Sequence, residues 1–361
     1  MTEENPSKTG RSRLRIGIAL FMAVGLGAVA AFAGYTWWHL TSAPLPSAAT
    51  GSTFILKRGE DLTHLGRELA DRGVLAHAWD LPLLARLRGE GPQVQAGEYR
   101  IPRGTTVEGL LALMVRGRVL AHRFTIVPGT RFEQVLAALE ANPVFAHTLQ
   151  GLDGAAIMQR LRHPDEVPEG RFFPDTYKFP HGTPDLNVLR RAYAAMQHHL
   201  DALWADRAQG LPLTTPYEAL ILASIIEKET AVPQERAEIA GVFMRRLERG
   251  MRLDADPTVI YGLGGDYRGK LTRADLARDT PYNTYLHLGL PPSAICMPGL
   301  ASIRAALHPT PGTALYFVAK GDGTHVFSDT LAEQQRMIRK YQLNGGEGSQ
   351  GHGKAGTIHH P

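Results

Sequence analysis

The sequence predicts an α+β protein carried on a single N-terminal transmembrane helix. From Ile16 to Trp38 the chain reads IGIALFMAVGLGAVAAFAGYTWW without a charge. After residue 53, short strand-like runs alternate with helical ones, and near residue 215 a capped helix opens onto a continuous apolar run. Long apolar spans, period-2 runs and capped helices are the local signals that place a chain in this class.

The 361 residues are 43% hydrophobic and 20% charged, enough for one large or two modest domains with real cores and far from a disordered composition. The net charge of +4 is small and several basic residues crowd the N-terminus, which argues against nucleic acid as a partner. A single cysteine, Cys296, excludes an intramolecular disulfide and a cysteine-based metal cluster. Core packing must therefore hold the fold.

The uncharged stretch at 16–38 is about 35 Å long as a helix, more than the ~30 Å hydrocarbon thickness of a bilayer. Lys8, Arg11, Arg13 and Arg15 precede it, no Lys or Arg follows until Lys57, and Tyr35, Trp37 and Trp38 mark an interfacial belt at its far end. The positive-inside rule then places 1–15 in the cytoplasm and everything after about residue 39 outside it. A cleaved secretory signal is the competing reading, since Ala31 and Ala33 suit a peptidase, but the apolar run exceeds the roughly 7–15 residues of an h-region. Residues 39–53, with TSAPLPSAATGS at 41–52, have the composition of a flexible tether.

From 54 to 121 a small α+β module is expected. It comprises a strand at TFILK, a helix from Asp61, a second helix near 79–88, a strand at GEYRIP and a helix after Thr105–Thr106. A larger α+β domain follows over 122–343 and ends in ALYFVAK and THVFS, two strands joined across Gly321-Asp322-Gly323 as a hairpin. The tail over 344–361 is Gly- and His-rich with nothing to bury, and is expected to be disordered. His352, His359 and His360 there could chelate stray metal, although a solvated tail is the simpler reading.

The helix at TTPYEALILASIIEKETA has Thr215 at the N-cap, Pro216 at the first helical position and Glu218 three residues after the cap, a capping box. Ala219 to Ile226 are apolar except Ser224, so this helix is expected to be buried on nearly every side. Glu227 closes that run. A carboxyl there is partly desolvated, which disfavours its charged form and suits a general acid. Ala223 and Ser224, one turn back, are small enough to leave room for a ligand. Glu229 is about 200° further round a 3.6-residue helix and cannot share Glu227's face. On helix pattern alone, Glu227 equally ends a core helix and pairs with a surface cation.

The blocks LASIIEKETAVPQERAEIAGVFMRRLERGMRLDADPTVIYG (222–262), TPYNTYLHLGLPPSAICMPGLASIRAALHP (280–309), LYFVAKGDGTHVFSDTLAE (315–333) and EGRFFPDTYKF (169–179) together resemble the YceG-like family of endolytic murein transglycosylases. The resemblance covers nearly all of the chain after the tether, and implies that 54–121 is a LysM-like subdomain ahead of a catalytic domain. It implies endolytic cleavage of the β-1,4 bond from N-acetylmuramic acid to N-acetylglucosamine in nascent strands, leaving a 1,6-anhydro end and terminating strand elongation. It implies Glu227, first Glu of the EKET block, as the catalytic residue. It calls for no metal or organic cofactor, and makes peptidoglycan strands the substrate and peptidoglycan synthases natural neighbours.

Groove contacts are expected from Ser224, Glu229, Asp256, Thr258, Tyr261, Asn283 and Tyr285. Asp256 reads more readily as an N-cap ahead of Pro257, with Thr258 and Tyr261 on the first turn. Asp175, Lys228 and Glu229 are as suited to fixing loops as to touching glycan. His308 and His325 read as structural, and Cys296 as a small buried filler. The chain departs from the family pattern at Val127-Pro128-Gly129, where a Glu often precedes the Gly, and at Gln334, where a His is common. Both departures are expected to leave the Glu227 helix untouched. The rival readings are a water-using muramidase on the same substrate and a non-enzymatic wall-binding scaffold.

Overall fold

The protein, seen in a computed structural model that describes residues 7–343, is a mixed α/β chain whose strands occur only in pairs. The tail expected to be disordered lies outside the described residues. These residues divide into two compact units. One runs to His122 and takes in Pro180–Gly182, and the other comprises Arg123–Phe179 and the chain from Thr183.

Helix α1 (Ser7–Thr41) leads into the first unit, and its stretch Arg15–Thr41 has a mean hydropathy of 2.3 with none of its most apolar window buried against protein. It is long and apolar enough to cross a membrane. Residues 41–52 are not the flexible tether their composition suggests. Leu45 N–H donates to the Thr105 carbonyl, Gly51 N–H to the Ile101 carbonyl, and Leu40 and Ala49 are fully buried. Its few apolar side chains, Leu40, Leu45 and Ala49, pack on the core of this unit and hold the otherwise exposed segment against it.

Strand β1 (Thr53–Leu56) pairs antiparallel with β2 (Gly97–Arg100), and Phe54 stacks on its cross-strand partner Tyr99 with ring centroids 5.4 Å apart. Between them lie α2 (Leu62–Asp71) and α3 (Asp80–Arg88), and α4 (Val107–Val115) follows. Helix α4 starts where Thr106 Oγ1 accepts the Gly109 N–H, a working N-cap. Leu65, Leu69, Leu81, Leu84, Leu110 and Met114 make the core of this unit.

The rest of the chain runs β3 (Ala121–Thr125), α5 (Phe132–Glu140), β4 (Phe145–Ala146), α6 (Gly154–Leu161), β5 (Thr176–Pro180), β6 (Thr183–Pro184), α7 (Asp185–Ala205), α8 (Pro216–Glu229), α9 (Arg236–Glu248), α10 (Asp256–Leu263), α11 (Arg273–Leu276), α12 (Leu300–Leu307), β7 (Tyr316–Ala319), β8 (His325–Ser328) and α13 (Leu331–Ile338). The expected hairpin β7–β8 forms, with Tyr316 opposite Ser328 and Ala319 opposite His325. Asp322 Oδ1 accepts the Thr324 N–H within its turn.

Helix α8 is the axis of the larger core. The capping box forms as expected: Thr215 Oγ1 accepts the Glu218 N–H, and the Glu218 carboxylate accepts the Thr215 N–H. Every residue from Ala219 to Ile226 is buried, and the helix packs against α7, α9, α10 and α12. Full burial of Leu220, Leu222, Ile225 and Ile226 stabilises at about 1.5–3 kcal/mol each, so the helix cannot shift without a large loss. Thr230 leaves helical geometry at φ −137°, and the following Val232-Pro233 holds the chain extended. The functional end of α8 is thus set on a rigid support.

Candidate active site

Glu227 is half-buried where α8 meets the start of α12. Its Oε2 accepts the Gly299 N–H at 3.0 Å and the Ser302 hydroxyl at 2.7 Å. Both donors belong to the opening turn of α12, where unsatisfied N–H groups favour an anionic partner. Its Oε1 has no hydrogen bond among the described residues. One oxygen is anchored and the other is uncommitted.

The wall beside Glu227 is the Pro128-Gly129 turn. Gly129 N–H donates to the Met297 carbonyl and Met297 N–H to the Thr130 carbonyl, which ties this turn to the segment entering α12. Gly129 has φ +81°, and a Cβ on it would stand 3.6 Å from Lys228 Cδ and 4.0 Å from Glu227 Cγ. A Cβ on Gly299 would meet Glu227 Oε2 at 3.4 Å and the Pro128 ring at 3.5 Å. The departing residue Pro128 thus packs beside Gly299, the residue whose N–H holds Glu227. Gln334 is fully buried and its amide donates to the Phe317 carbonyl.

Next to this corner is a cavity of about 310 Å³, whose lining includes Gly129, Arg131, Gln134, Lys228, Glu229 and Tyr261. Glu227 adjoins the cavity through Gly129 and is not itself part of the lining. Glu229, half-buried, lines the space, and the buried Glu169 lies behind Tyr261. Glu229 has its Oε2 closed off from solvent without a hydrogen-bond partner, and burial, reinforced by the neighbouring Asp256 and opposed by Arg246, pushes it up to about 8. Glu169 accepts the Phe132 N–H at 3.0 Å and the Tyr261 hydroxyl at 3.1 Å, and burial outweighs both bonds, pushing it up to about 7. The Arg131 guanidinium lies over the Tyr261 ring at 5.0 Å and donates to the Ile260 carbonyl.

Of the residues expected to contact a ligand, the structure brings Glu229 and Tyr261 to the cavity. It gives the others different work. Ser224 is fully buried, its hydroxyl donating to the Ile221 carbonyl and accepting the Ile295 N–H, and the space expected above it is filled by Ile295 and Cys296. The Cys296 thiol donates to the Ser224 carbonyl, and burial raises its pKa.

Thr258 is fully buried and bonds the Ala255 carbonyl and the Thr284 hydroxyl. Asn283 is equally buried: its amide donates to the Leu276 and Arg278 carbonyls and its Oδ1 accepts the Tyr285 N–H, so it shapes the 276–285 loop. Asp256 is not an N-cap. It is the first residue of α10 and makes no capping bond, while its Oδ1 accepts the Tyr285 hydroxyl at 2.7 Å, and burial pushes it up to about 6. Asp256 and Tyr285 thus support the ground behind Glu229.

Lys228 lines the cavity and reaches the Gly129 carbonyl at 3.4 Å, and Asp175 is exposed, with its backbone carbonyl accepting the Ile126 N–H. His308 stands 3.6 Å from Asp206 at the surface, whereas His325 pairs with Glu235 at 2.7 Å and also lines the cavity. Arg131, Gln134 and Glu169 were missed from the sequence. Glu169 opens one of the quoted blocks, EGRFFPDTYKF, where Asp175 had seemed the carboxylate worth weighing.

A family model of the YceG-like family matches residues 54–340. Over 183 residues the chain is 35% identical to an endolytic murein transglycosylase of Bacillus subtilis, covering 51% of this chain and 49% of that protein. It is 31% identical over 179 residues to an endolytic murein transglycosylase of Streptococcus pneumoniae serotype 2, covering 48% of this chain and 32% of that protein. The chain thus spans half or less of the length of these relatives. A crystal structure of a yceG-like protein from Listeria monocytogenes superposes with a TM-score of 0.50 at 26% identity, over 79% of this chain and 98% of that one.

Proposed function

The chain belongs to the YceG-like family, and on that premise we propose that it is a membrane-anchored endolytic transglycosylase of peptidoglycan with Glu227 as its acid/base. The observation that carries the reading is the two-point grip on Glu227 Oε2 at the end of a buried helix, beside a cavity. A carboxyl so held keeps its orientation through a cycle in which it gives up a proton and takes one back.

In the first step Glu227 delivers its proton to the glycosidic oxygen as the bond from C1 of the muramic sugar breaks, and N-acetylglucosamine leaves as the alcohol. In the second, the sugar's own 6-hydroxyl closes on C1 while Glu227 accepts that hydroxyl proton. The product carries a 1,6-anhydro end, and the carboxyl is returned to its starting form. No enzymic nucleophile is needed, because the sugar supplies it. Glu229, held toward its neutral form, offers a hydrogen bond from the cavity wall to amide or hydroxyl oxygens of the glycan. Arg131 and Lys228 add positive charge for the acidic parts of peptidoglycan.

The first unit is read as a LysM-like module that holds glycan. Helix α1 is read as a single-pass inner-membrane anchor with its N-terminus in the cytoplasm, which places the site on the periplasmic face near the synthases that extrude strands. The test is product analysis on newly polymerised, uncrosslinked strands with wild type and Glu227→Gln in parallel. Anhydro-ended fragments from wild type and intact strands from the variant are expected. Reducing ends heavier by one water would make the enzyme a muramidase, and equal behaviour of the two proteins would leave only a wall-binding scaffold.

A further inference from the structure

Where α1 runs into the first unit, side chains from distant parts of the sequence converge. His39, in the last turn of α1, places Nε2 3.2 Å from Asp80 Oδ2. His77 places Nδ1 3.4 Å from Asp80 Oδ1, and its backbone N–H donates to Oδ2 at 3.1 Å. One donor atom from each of the three lies within 4.8 Å of the others.

Asp80 is 0% exposed, and its Oδ1 is a buried oxygen with no hydrogen bond. Its ion pairs are with histidines, which are cationic only when protonated, so a buried carboxylate sits here without a permanent counter-charge. That arrangement is costly in a packed protein and is relieved by a bound cation. The spacing also suits one. Ligands about 2.0–2.2 Å from a tetrahedral zinc ion stand roughly 3.4 Å from each other; His39 and His77 stand at 3.2 and 3.4 Å from the two different oxygens of Asp80, and one atom from each residue lies within 4.8 Å of the others, close enough for small side-chain rotations to close on an ion.

Trp79 stacks on the His77 ring at 5.0 Å and Tyr35 on the His39 ring at 6.2 Å, so both imidazoles are oriented from behind. The His77 side chain is 51% exposed, which leaves an entry path. A second group, Glu60, His64 and Glu68, lacks these features: it lies along the surface of α2 and its next residues, and all three have solvent access.

We propose that His39, His77 and Asp80 form a binding site for a divalent transition-metal ion, zinc fitting best, which clasps the end of the apolar helix to the first unit. Imidazole nitrogens with one carboxylate are a zinc donor set, and a water completes the tetrahedron. The role is structural: the ion would cross-link α1 to the opening of α3.

The experiment uses the full chain in detergent, with His352, His359 and His360 replaced by Ala in every sample to remove chelation by the tail. Zn²⁺ is titrated calorimetrically and Co²⁺ by visible absorption, for this parent and for added His39→Ala, His77→Ala or His64→Ala. One ion per chain at micromolar or tighter affinity is expected, with the cobalt bands of a tetrahedral site. Each of His39→Ala and His77→Ala should weaken binding at least tenfold, and His64→Ala should not. If His39→Ala fails to fold, His77→Ala, whose side chain is half in solvent, decides. Absence of saturable binding overturns the proposal, as does parent-like binding by a folded His39→Ala or His77→Ala protein.

Discussion

Glu227 and Glu229 stand two residues apart at the end of one helix, and the protein treats them in opposite ways. The first accepts two hydrogen bonds at one oxygen and keeps the other uncommitted. The second has an oxygen sealed from water with nothing to accept from, beside a further carboxylate. Residue type does not separate them. What separates them is the neighbour each meets: the start of α12 on one side, and α10 with its Asp256–Tyr285 pair on the other. The first is gripped by the Gly299 N–H and the Ser302 hydroxyl, which on the proposed reading holds the proton carrier in one orientation. The second lies where burial disfavours its charged form.

The most damaging test of that contrast is Glu227→Gln. It removes the proton carrier while retaining an oxygen for Gly299 and Ser302, so cleavage of glycan strands should fall about 1,000-fold, within the range of general acid–base contributions. Its melting temperature should stay near that of wild type. Activity within tenfold of wild type would dissolve the contrast.

Glu229→Gln should act on stability instead. A carboxyl lifted from 4.5 to about 8 on folding binds its proton more tightly in the native state, so wild-type stability declines as pH rises through that window. The slope is at most about 1.4 kcal/mol per pH unit for one group. The variant lacks this decline, so its stability relative to wild type should grow from pH 5 to pH 8 and level off above that. Denaturant unfolding at those pH values reads it directly, and a constant difference would mean that Glu229 ionises freely in the fold.

Ser302→Ala sharpens the other side of the comparison, because it removes one of the two grips on Glu227. A hydrogen bond to a charged group contributes about 1.5–3 kcal/mol, so kcat should drop at least tenfold with KM little changed. A rise in KM at constant kcat would instead make Ser302 a substrate ligand. The smallest effect is expected from Tyr261→Phe, which frees Glu169 of one hydrogen bond at the cavity wall. Activity should fall less than about tenfold, the share of one such bond. A complete loss would move Tyr261 into the chemistry.

How much of this was legible in the sequence depended on range. The cap of α8 was, because Thr215, Pro216 and Glu218 act on one another within a single turn. So was the β7–β8 hairpin, whose Gly-Asp-Gly turn is equally local. The cavity was not. It needs Gly129 and Arg131 brought against a helix about a hundred residues further on, and no periodicity encodes that meeting.

Small or polar residues misled in a consistent way. Ser224, Thr258 and Asn283 looked like groove residues because they are hydrophilic beside the key helix, yet each is buried to satisfy backbone groups that would otherwise be left without partners. The segment at 41–52 misled for the complementary reason. Its composition is that of a linker, and a few apolar side chains were enough to draw it onto the first unit.

That packing has a mechanical outcome. Leu40 is wholly enclosed by the first unit and lies only two residues past Trp38, about 3 Å along the helix. With no free joint between rod and load, the proposed anchoring of α1 in a bilayer would make lipid viscosity rather than water set the tumbling of the unit. On that same proposal the unit would ride at a constant height above the bilayer surface and meet an emerging strand at the same distance every time.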